Sequence, residues 1–403
     1  MTKTKALTQS ADDLRGVSKL AVDATQGITD LVEAMHRNIA RIPGMTPSLE
    51  DGKTNGLTGF VYRTVRGVTQ VVGGGIDAAL ALASPMLGSF TDIPARDAVL
   101  SALNGVIGDH LVVTNNPLAI TMQFRQNGEA LMLNKEALAS AIPNATGKVL
   151  VLIHGLCMND RQWTMARPDG TLHDHGAELQ TDLGYTAVYL RYNTGLHVTE
   201  NGKAFAAALD ALMGAWPVKL KELAIVAHSM GGLVTRSACH YADENVLAWR
   251  KHLKKIVFLG TPHQGAPLER GGHWIDIILG ATPYASPFAK LGKVRSTGIT
   301  DLRYGSVTEN DEHAGRKRHA LLPLPAKVKC FAIAGTTGQQ CGDLQDRLLG
   351  DGLVPLASAL GEHEDPTLSL NFPMDRKVTL YSTNHMQLLS AAPAYEAVKT
   401  FLK

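Results

Sequence analysis

The run Leu223-Ala224-Ile225-Val226-Ala227-His228-Ser229-Met230-Gly231-Gly232-Leu233-Val234 constrains this chain more than any other. An apolar segment of strand length meets a small-His-Ser-Met-Gly step, and an apolar helix-like pattern follows. That order predicts a strand, a sharp turn and a helix, with the serine at the tip of the turn. Small residues stand on both sides, at Ala227 and Gly231, where strand and helix must approach closely. Such a turn pushes the hydroxyl clear of the backbone. The helix behind it offers free N–H groups and a positive end to a developing negative charge. The stretch therefore reads as a nucleophile elbow.

A serine hydroxyl is a weak nucleophile at neutral pH and needs a base within reach and a group that orients the base. His228 adjoins the serine, but neighbours across such a turn project in different directions. The better base is His385, in Ser382-Thr383-Asn384-His385-Met386, directly after the last predicted strand. The acid should follow the predicted strand Val328–Ala334, where Asp343, Asp346 and Asp351 are all candidates by position. Asp351 is preferred, because Gly352 allows a tight turn that aims its carboxylate. The oxyanion needs preorganised N–H donors, and Met230, just after the serine, supplies one.

This elbow resembles that of the α/β-hydrolase superfamily, and specifically its lipases and carboxylesterases. Lys148-Val149-Leu150-Val151-Leu152-Ile153-His154-Gly155 is similar to the lipase strand that ends in His-Gly. Ile256-Val257-Phe258-Leu259-Gly260-Thr261-Pro262-His263 is similar to a Gly-Thr-Pro-His strand end, and Gly350-Asp351-Gly352-Leu353-Val354-Pro355 to the segment that carries the acid. The resemblance runs from about Leu118 to Lys403, with Ala227 standing where the family more often has Gly. It implies a mostly parallel central sheet with helices on both faces. It also implies a triad of Ser229, Asp351 and His385 in that chain order, and Leu156 as second oxyanion donor beside Met230. His154 is then a scaffold residue, while His263, Asn193 and His197 are rim or turn residues. The implied activity is that of a serine carboxylic-ester hydrolase, a lipase or esterase forming an acyl-enzyme on lipid-like acyl esters. An acyltransferase or an intracellular polyester depolymerase would use the same elbow. A binding module with a dead site is the non-enzymatic reading.

The rest of the chain fits this class. Predicted strands at Val149–His154, Ala187–Tyr192, Leu223–Ala227, Ile256–Gly260, Val328–Ala334 and Val378–Ser382 alternate with helical stretches, the pattern of a parallel sheet. Gln126-Asn127-Gly128 between two short strand-like runs predicts an antiparallel hairpin at the edge. Alternation breaks between Gly265 and Lys327, where the family carries a cap. Trp274, Ile277 and Ile278 lie in an apolar helical patch there and are the candidates for holding an acyl chain. The charged run Glu309–His319 reads as a solvated loop.

Residues 1–117 are expected to form a helical extension to a hydrolase domain at 118–403. Its stripe Leu14, Val17, Leu20, Ala21, Ala24, Ile28, Leu31, Val32, Met35, Ile39 must be covered by protein or by a membrane surface. The mixed charge opposite the stripe ranks packing on protein first and peripheral membrane contact second. The low-charge stretch Arg66–Asp92 is interrupted by glycines, Thr69, Gln70 and Asp77, a poor spanning helix. A further helix is expected over Ala95–Ile107.

Net charge of +2 and 5% aromatic residues in 403 give no footing for nucleic acid. Cys157, Cys239, Cys330 and Cys341 form no metal-type pair, no secretion signal is read, and reduced thiols in a cytoplasmic protein are expected. No cofactor loop or metal-ligand spacing is read either.

Overall fold

The computed structural model describes Arg15, Gly16, Lys19 and residues 93–167, 169–266, 296–314, 321–340 and 350–403. The apolar stripe of the first 40 residues (apart from Arg15, Gly16 and Lys19), the Arg66–Asp92 stretch, the Trp274, Ile277 and Ile278 patch, Asp343, Asp346 and Cys341 lie outside the described residues. Two compact units divide the chain: Met1–Ile93 with Leu111–Ala119, and Pro94–His110 with Ile120–Lys403. Within the first, Asn116 Nδ2 donates to the Gly16 carbonyl at 3.1 Å, and Lys19 Nζ donates to the Thr114 carbonyl.

Helix α1, Ile93–Val113, is broken at Ile107, whose φ of −135° and ψ of 24° are not helical. The break falls where the sequence predicted the helix to end. In chain order there follow β1 (Gln123–Gln126), β2 (Glu129–Ala130), α2 (Lys135–Ala141), β3 (Lys148–Ile153), β4 (Thr164–Ala166), β5 (Leu172–Asp174), α3 (His175–Leu183), β6 (Thr186–Arg191), α4 (Val198–Gly214), β7 (Glu222–His228), α5 (Met230–Glu244) and β8 (Leu253–Leu259). Then come α6 (Thr297–Tyr304), α7 (Glu309–Ala314), β9 (Lys329–Gly335), α8 (Leu356–Ala359), β10 (Lys377–Leu380) and α9 (Ala392–Leu402).

Eight strands form one sheet in the order β10-β9-β8-β7-β3-β6-β1-β2. From β10 to β6 every pair is parallel, and the β1–β2 hairpin closes the edge antiparallel against β6. Burial on both faces requires continuously apolar segments, which is what residues 149–153 of β3, 223–227 of β7 and 256–259 of β8 are. Successive residues split between two cores. Val149, Val151 and Ile153 pack with Phe205 and Leu209 of α4 and Leu233 of α5, whereas Leu150 and Leu152 pack with Leu179 of α3 and Val398 of α9. Helices thus cover both faces of a mostly parallel sheet.

Local signals place the helix ends. Asp174 caps α3 by accepting from Gly176 N and Ala177 N, and Gly184 ends it at a left-handed φ of 70°. Asn134 caps α2 and Ser296 caps α6 in the same way. Glu309–Ala314, expected as a loop, is the short helix α7, because Asp311 Oδ2 accepts from the backbone N–H of both Val307 and Thr308 and folds the entry turn. The β4–β5 ribbon was not anticipated. Strands of three residues carry no usable alternation. Among the described residues no helix is long and apolar enough to cross a membrane.

Candidate active site

Ser229 stands between the last residue of β7 and the first of α5 with φ 54° and ψ −125°. A serine with positive φ is strained, and its surroundings must over-determine it. Here its N–H donates to the Leu259 carbonyl of β8 at 2.8 Å, and its own carbonyl accepts from Gly232 N at 3.0 Å. A Cβ on Gly231 would lie 2.6 Å from the Ile153 carbonyl oxygen and 2.7 Å from that of His154, so only glycine lets the helix start this close to β3. The Ser229 side chain makes no capping bond to α5, so its hydroxyl is not spent on the helix. Met230 opens that helix, and its N–H has no intrahelical acceptor.

The loop after β3 runs beside the serine. A Cβ on Gly155 would lie 2.9 Å from Ser229 Cβ and 3.4 Å from Ser229 Oγ, and Leu156 is the next residue along. The loop is held by the Gly155 carbonyl accepting from Met158 N at 3.3 Å, and by Cys157 N donating to Thr194 Oγ1 at 3.1 Å with Cys157 at φ 60°.

His385 follows β10, and Asp351 lies on the connection after β9. Both are buried, at 4% and 1% exposure. His385 Nδ1–H donates to Asp351 Oδ2 at 2.6 Å, and the His385 backbone N–H donates to the Asp351 carbonyl at 3.0 Å. Asp351 Oδ1 accepts from Leu353 N at 3.0 Å and Val354 N at 2.8 Å, so the Gly352 turn does aim the carboxylate. The pair adjoins the strand end that anchors the serine. A Cβ on Gly260, after Leu259, would lie 3.1 Å from both Asp351 Oδ2 and His385 Cε1.

His228 makes a contact the sequence did not reveal. Its Nε2 is 3.2 Å from the His385 carbonyl oxygen, which can only accept, so Nε2 carries the proton. The two rings are 4.6 Å apart. Burial, and then the charge of His385, hold His228 well below the usual imidazole range. His154 is fully buried, stacks 4.5 Å from the Tyr192 ring, and is pushed down to about 4 by burial. Of the other residues read as rim or turn, His263 is buried 4.8 Å from the Phe258 ring. His197 Nδ1 bonds Asp301 Oδ2 at 2.9 Å, and Asn193 Nδ2 donates to the Gly108 carbonyl at 3.0 Å.

A cavity of about 540 Å³ lies elsewhere, lined by polar groups that include Asp160, Arg161, His173, Asp174 and Glu178. Among the described residues no three His, Cys, Asp or Glu form a group able to hold a metal.

A family model described as "Domain of unknown function (DUF7379)" matches residues 109–301. Among curated proteins none matches. A lipase of Bacillus licheniformis is 18% identical, over 62% of this chain and 91% of that one, with a TM-score of 0.41. An esterase of Pyrococcus furiosus is 16% identical over 64% and 81%, with a TM-score of 0.36. Lipase B of Aspergillus fumigatus is 10% identical over 98% and 84%, with a TM-score of 0.38.

Proposed function

We propose that the chain is a serine carboxylic-ester hydrolase that works through an acyl-enzyme. The observation that carries this reading is the 2.6 Å bond from His385 Nδ1 to Asp351 Oδ2, packed against the strand end that holds Ser229 at positive φ. With its proton fixed on Nδ1, His385 presents a lone pair on Nε2. That nitrogen takes the Ser229 hydroxyl proton as Oγ attacks the ester carbonyl carbon. The carbonyl oxygen becomes an oxyanion, received by the backbone N–H groups of Met230 and Leu156. Collapse expels the alkoxide, which takes the proton from His385 and leaves as alcohol. Water then repeats the sequence on the acyl-enzyme, and acid and free Ser229 are released. Asp351 stays ionised and holds the imidazole in the required tautomer.

Two features favour esters with a lipid-like acyl part: the apolar residues Trp274, Ile277 and Ile278 in the segment where the resembling family has its cap, and the buried setting of Ser229, 2% exposed. Purified protein should hydrolyse p-nitrophenyl acyl esters and be labelled by a fluorophosphonate. Ser229→Ala should remove both activities. Full labelling of Ser229→Ala would place the nucleophile elsewhere. A panel of esters of rising chain length reads the acyl preference, and product analysis with added alcohol separates hydrolysis from transfer.

A further inference from the structure

The β4–β5 ribbon and the first turn of α3 carry a line of titratable side chains that the chemistry at Ser229 does not use. His173 Nδ1 lies 2.6 Å from Glu178 Oε1 and 2.6 Å from Arg167 Nη2. His173 Nε2 lies 2.7 Å from His175 Nδ1, and His175 Nε2 lies 2.9 Å from the Leu388 carbonyl oxygen. The direction of each bond follows from its far end. The carbonyl only accepts, so His175 Nε2 carries a proton and the neutral ring offers Nδ1 as acceptor. His173 Nε2–H must then donate, while its Nδ1 meets both the Glu178 carboxylate, an acceptor, and the Arg167 guanidinium, a donor that also pairs with Glu178 at 3.4 Å. Arg167 uses its Nε–H on a second carbonyl, that of Ser390, at 3.1 Å.

Both carbonyls belong to the turn that leaves His385, built on the single 3-10 turn Met386–Leu389. Leu388 also borders the same space beside Gly260 as the acid–base pair. Its Cδ1 lies 2.8 Å from the point where a Cβ on Gly260 would stand, the point that is 3.1 Å from Asp351 Oδ2 and His385 Cε1. His173 and His175 have almost no exposed surface and pack around the Tyr395 ring, at 5.3 and 5.9 Å. Purely hydrophobic side chains would fill this space without polar partners to satisfy. What the imidazoles add is direction: His173 bonds His175, and His175 bonds the Leu388 carbonyl.

We propose that His175 and Arg167, set by His173, are positioning residues for His385, which they hold by the Leu388 and Ser390 carbonyls. The proposal rests on the reading of His385 as the base of an ester hydrolase. None of the three need touch substrate. Their effect runs through the placement of a turn, and displacement of a catalytic group by about 1 Å costs on the order of 10²-fold in rate. A misplaced base slows the chemical step and leaves substrate binding largely alone, so kcat should fall while KM holds.

The test uses the full chain with p-nitrophenyl ester kinetics, fluorophosphonate labelling rates and thermal melts. His175→Phe keeps a ring and removes the donor to Leu388. It should lose about tenfold or more in kcat, with KM within about twofold. His175→Gln keeps an N–H at similar reach and should recover most of that loss. Wild-type kcat in His175→Phe would overturn the proposal, as would equal losses in a folded Phe and a folded Gln variant. Should His175→Phe not fold, Arg167→Met at a partly exposed site decides: reduced kcat with an intact melt supports the proposal, and unchanged kcat overturns it. Wild-type protein that neither turns over ester nor takes the probe would instead overturn the reading of Ser229, before any variant is measured.

Discussion

Asp351 and Asp97 are both buried carboxylates of the larger unit, and their surroundings differ in one decisive way. Asp97, on α1, faces two guanidinium groups: Arg191 Nη1 and Nη2 at 3.0 and 2.8 Å, and Arg161 Nε at 3.0 Å. Arg191 continues to Asp160 at 2.6 Å, and Asp160 to Arg125 at 3.1 Å. Every carboxylate in that cluster meets an arginine, so the cluster ties segments together. Burial alone would raise the Asp97 carboxyl, but its bonds to Arg191 and Arg161 outweigh this and hold it below the usual range. Asp351 meets no guanidinium among the described residues. It holds two backbone N–H groups and one imidazole, and the imidazole can gain and lose a proton. A carboxylate paired with arginine is built for stability. One paired with a histidine suits proton transfer, the role proposed for Asp351 and His385. The cavity lies at the arginine cluster, so the size of an opening and the place of chemistry are separate questions here.

The largest expected effect breaks the comparison on the Asp351 side. Asp351→Asn keeps the shape and the acceptor toward the backbone, but favours the wrong His385 tautomer. It should cut kcat by about 10⁴, equivalent to roughly 5.5 kcal/mol of transition-state stabilisation, with the melting temperature nearly unchanged. Kinetics and a melt on one preparation check this. Loss of fold with no loss of specific activity would make Asp351 a structural residue like Asp97.

The converse substitution is next in size. Asp97→Asn leaves buried Arg191 with Asp160 alone and takes the carboxylate from Arg161, and removing one partner of such a buried set costs about 3–5 kcal/mol. Denaturant unfolding should show that loss, while kcat per folded molecule stays at the wild-type value. A fall in kcat without a fall in stability would mean that the cluster reaches the site.

These expectations also show what the sequence could carry. The elbow is legible because its strand, turn and helix are contiguous from Leu223 to Val234. Asp351 and His385 are 34 residues apart, and only the resemblance drew them into one site before their bond was seen. The arginine cluster was invisible. Asp97 and Arg191 are 94 residues apart, and nothing local to either announces the other. His173 and His175 were equally silent, because alternate residues of a three-residue strand and the next helix look like any polar turn.

Acid separates the two regions more finely. His154 and His175 are pushed down to about 4 from 6.5, mainly by burial. A histidine depressed in the folded state binds fewer protons than the unfolded chain between those values. Stability therefore falls as pH drops through 6.5 toward 4, and no penalty exists above 6.5. At pH 5 each should cost about 2 kcal/mol. The Asp97 contribution has the opposite range, because a depressed carboxyl keeps its benefit until the pH falls below its ordinary 3.8. Unfolding at pH 7 and pH 5 should show a loss that His154→Gln reduces by about 2 kcal/mol and Asp97→Asn leaves in place. A pH-independent stability would mean that these imidazoles are reached by water.

The smallest effect isolates burial from geometry. Asp243 and Arg250 form a pair as well made as the inner ones, with Arg250 Nε to Oδ1 at 2.8 Å and Nη2 to Oδ2 at 3.0 Å. By distance it is a match for Asp97 and Arg191. The difference is that the Asp243 side chain is 53% exposed, whereas that of Asp97 is 3% exposed. Water solvates Asp243 with or without its arginine, so its carboxylate has little desolvation to be compensated, although the Arg250 side chain is only 12% exposed. Asp243→Asn should then cost about 1 kcal/mol or less, and less still at high salt, where the pair is screened. Denaturant unfolding of both asparagine variants in one buffer makes the contrast direct. If Asp243→Asn cost as much as Asp97→Asn, bond geometry and not desolvation would set the strength of these pairs. The structural role assigned to the buried arginine cluster would then lose its physical basis.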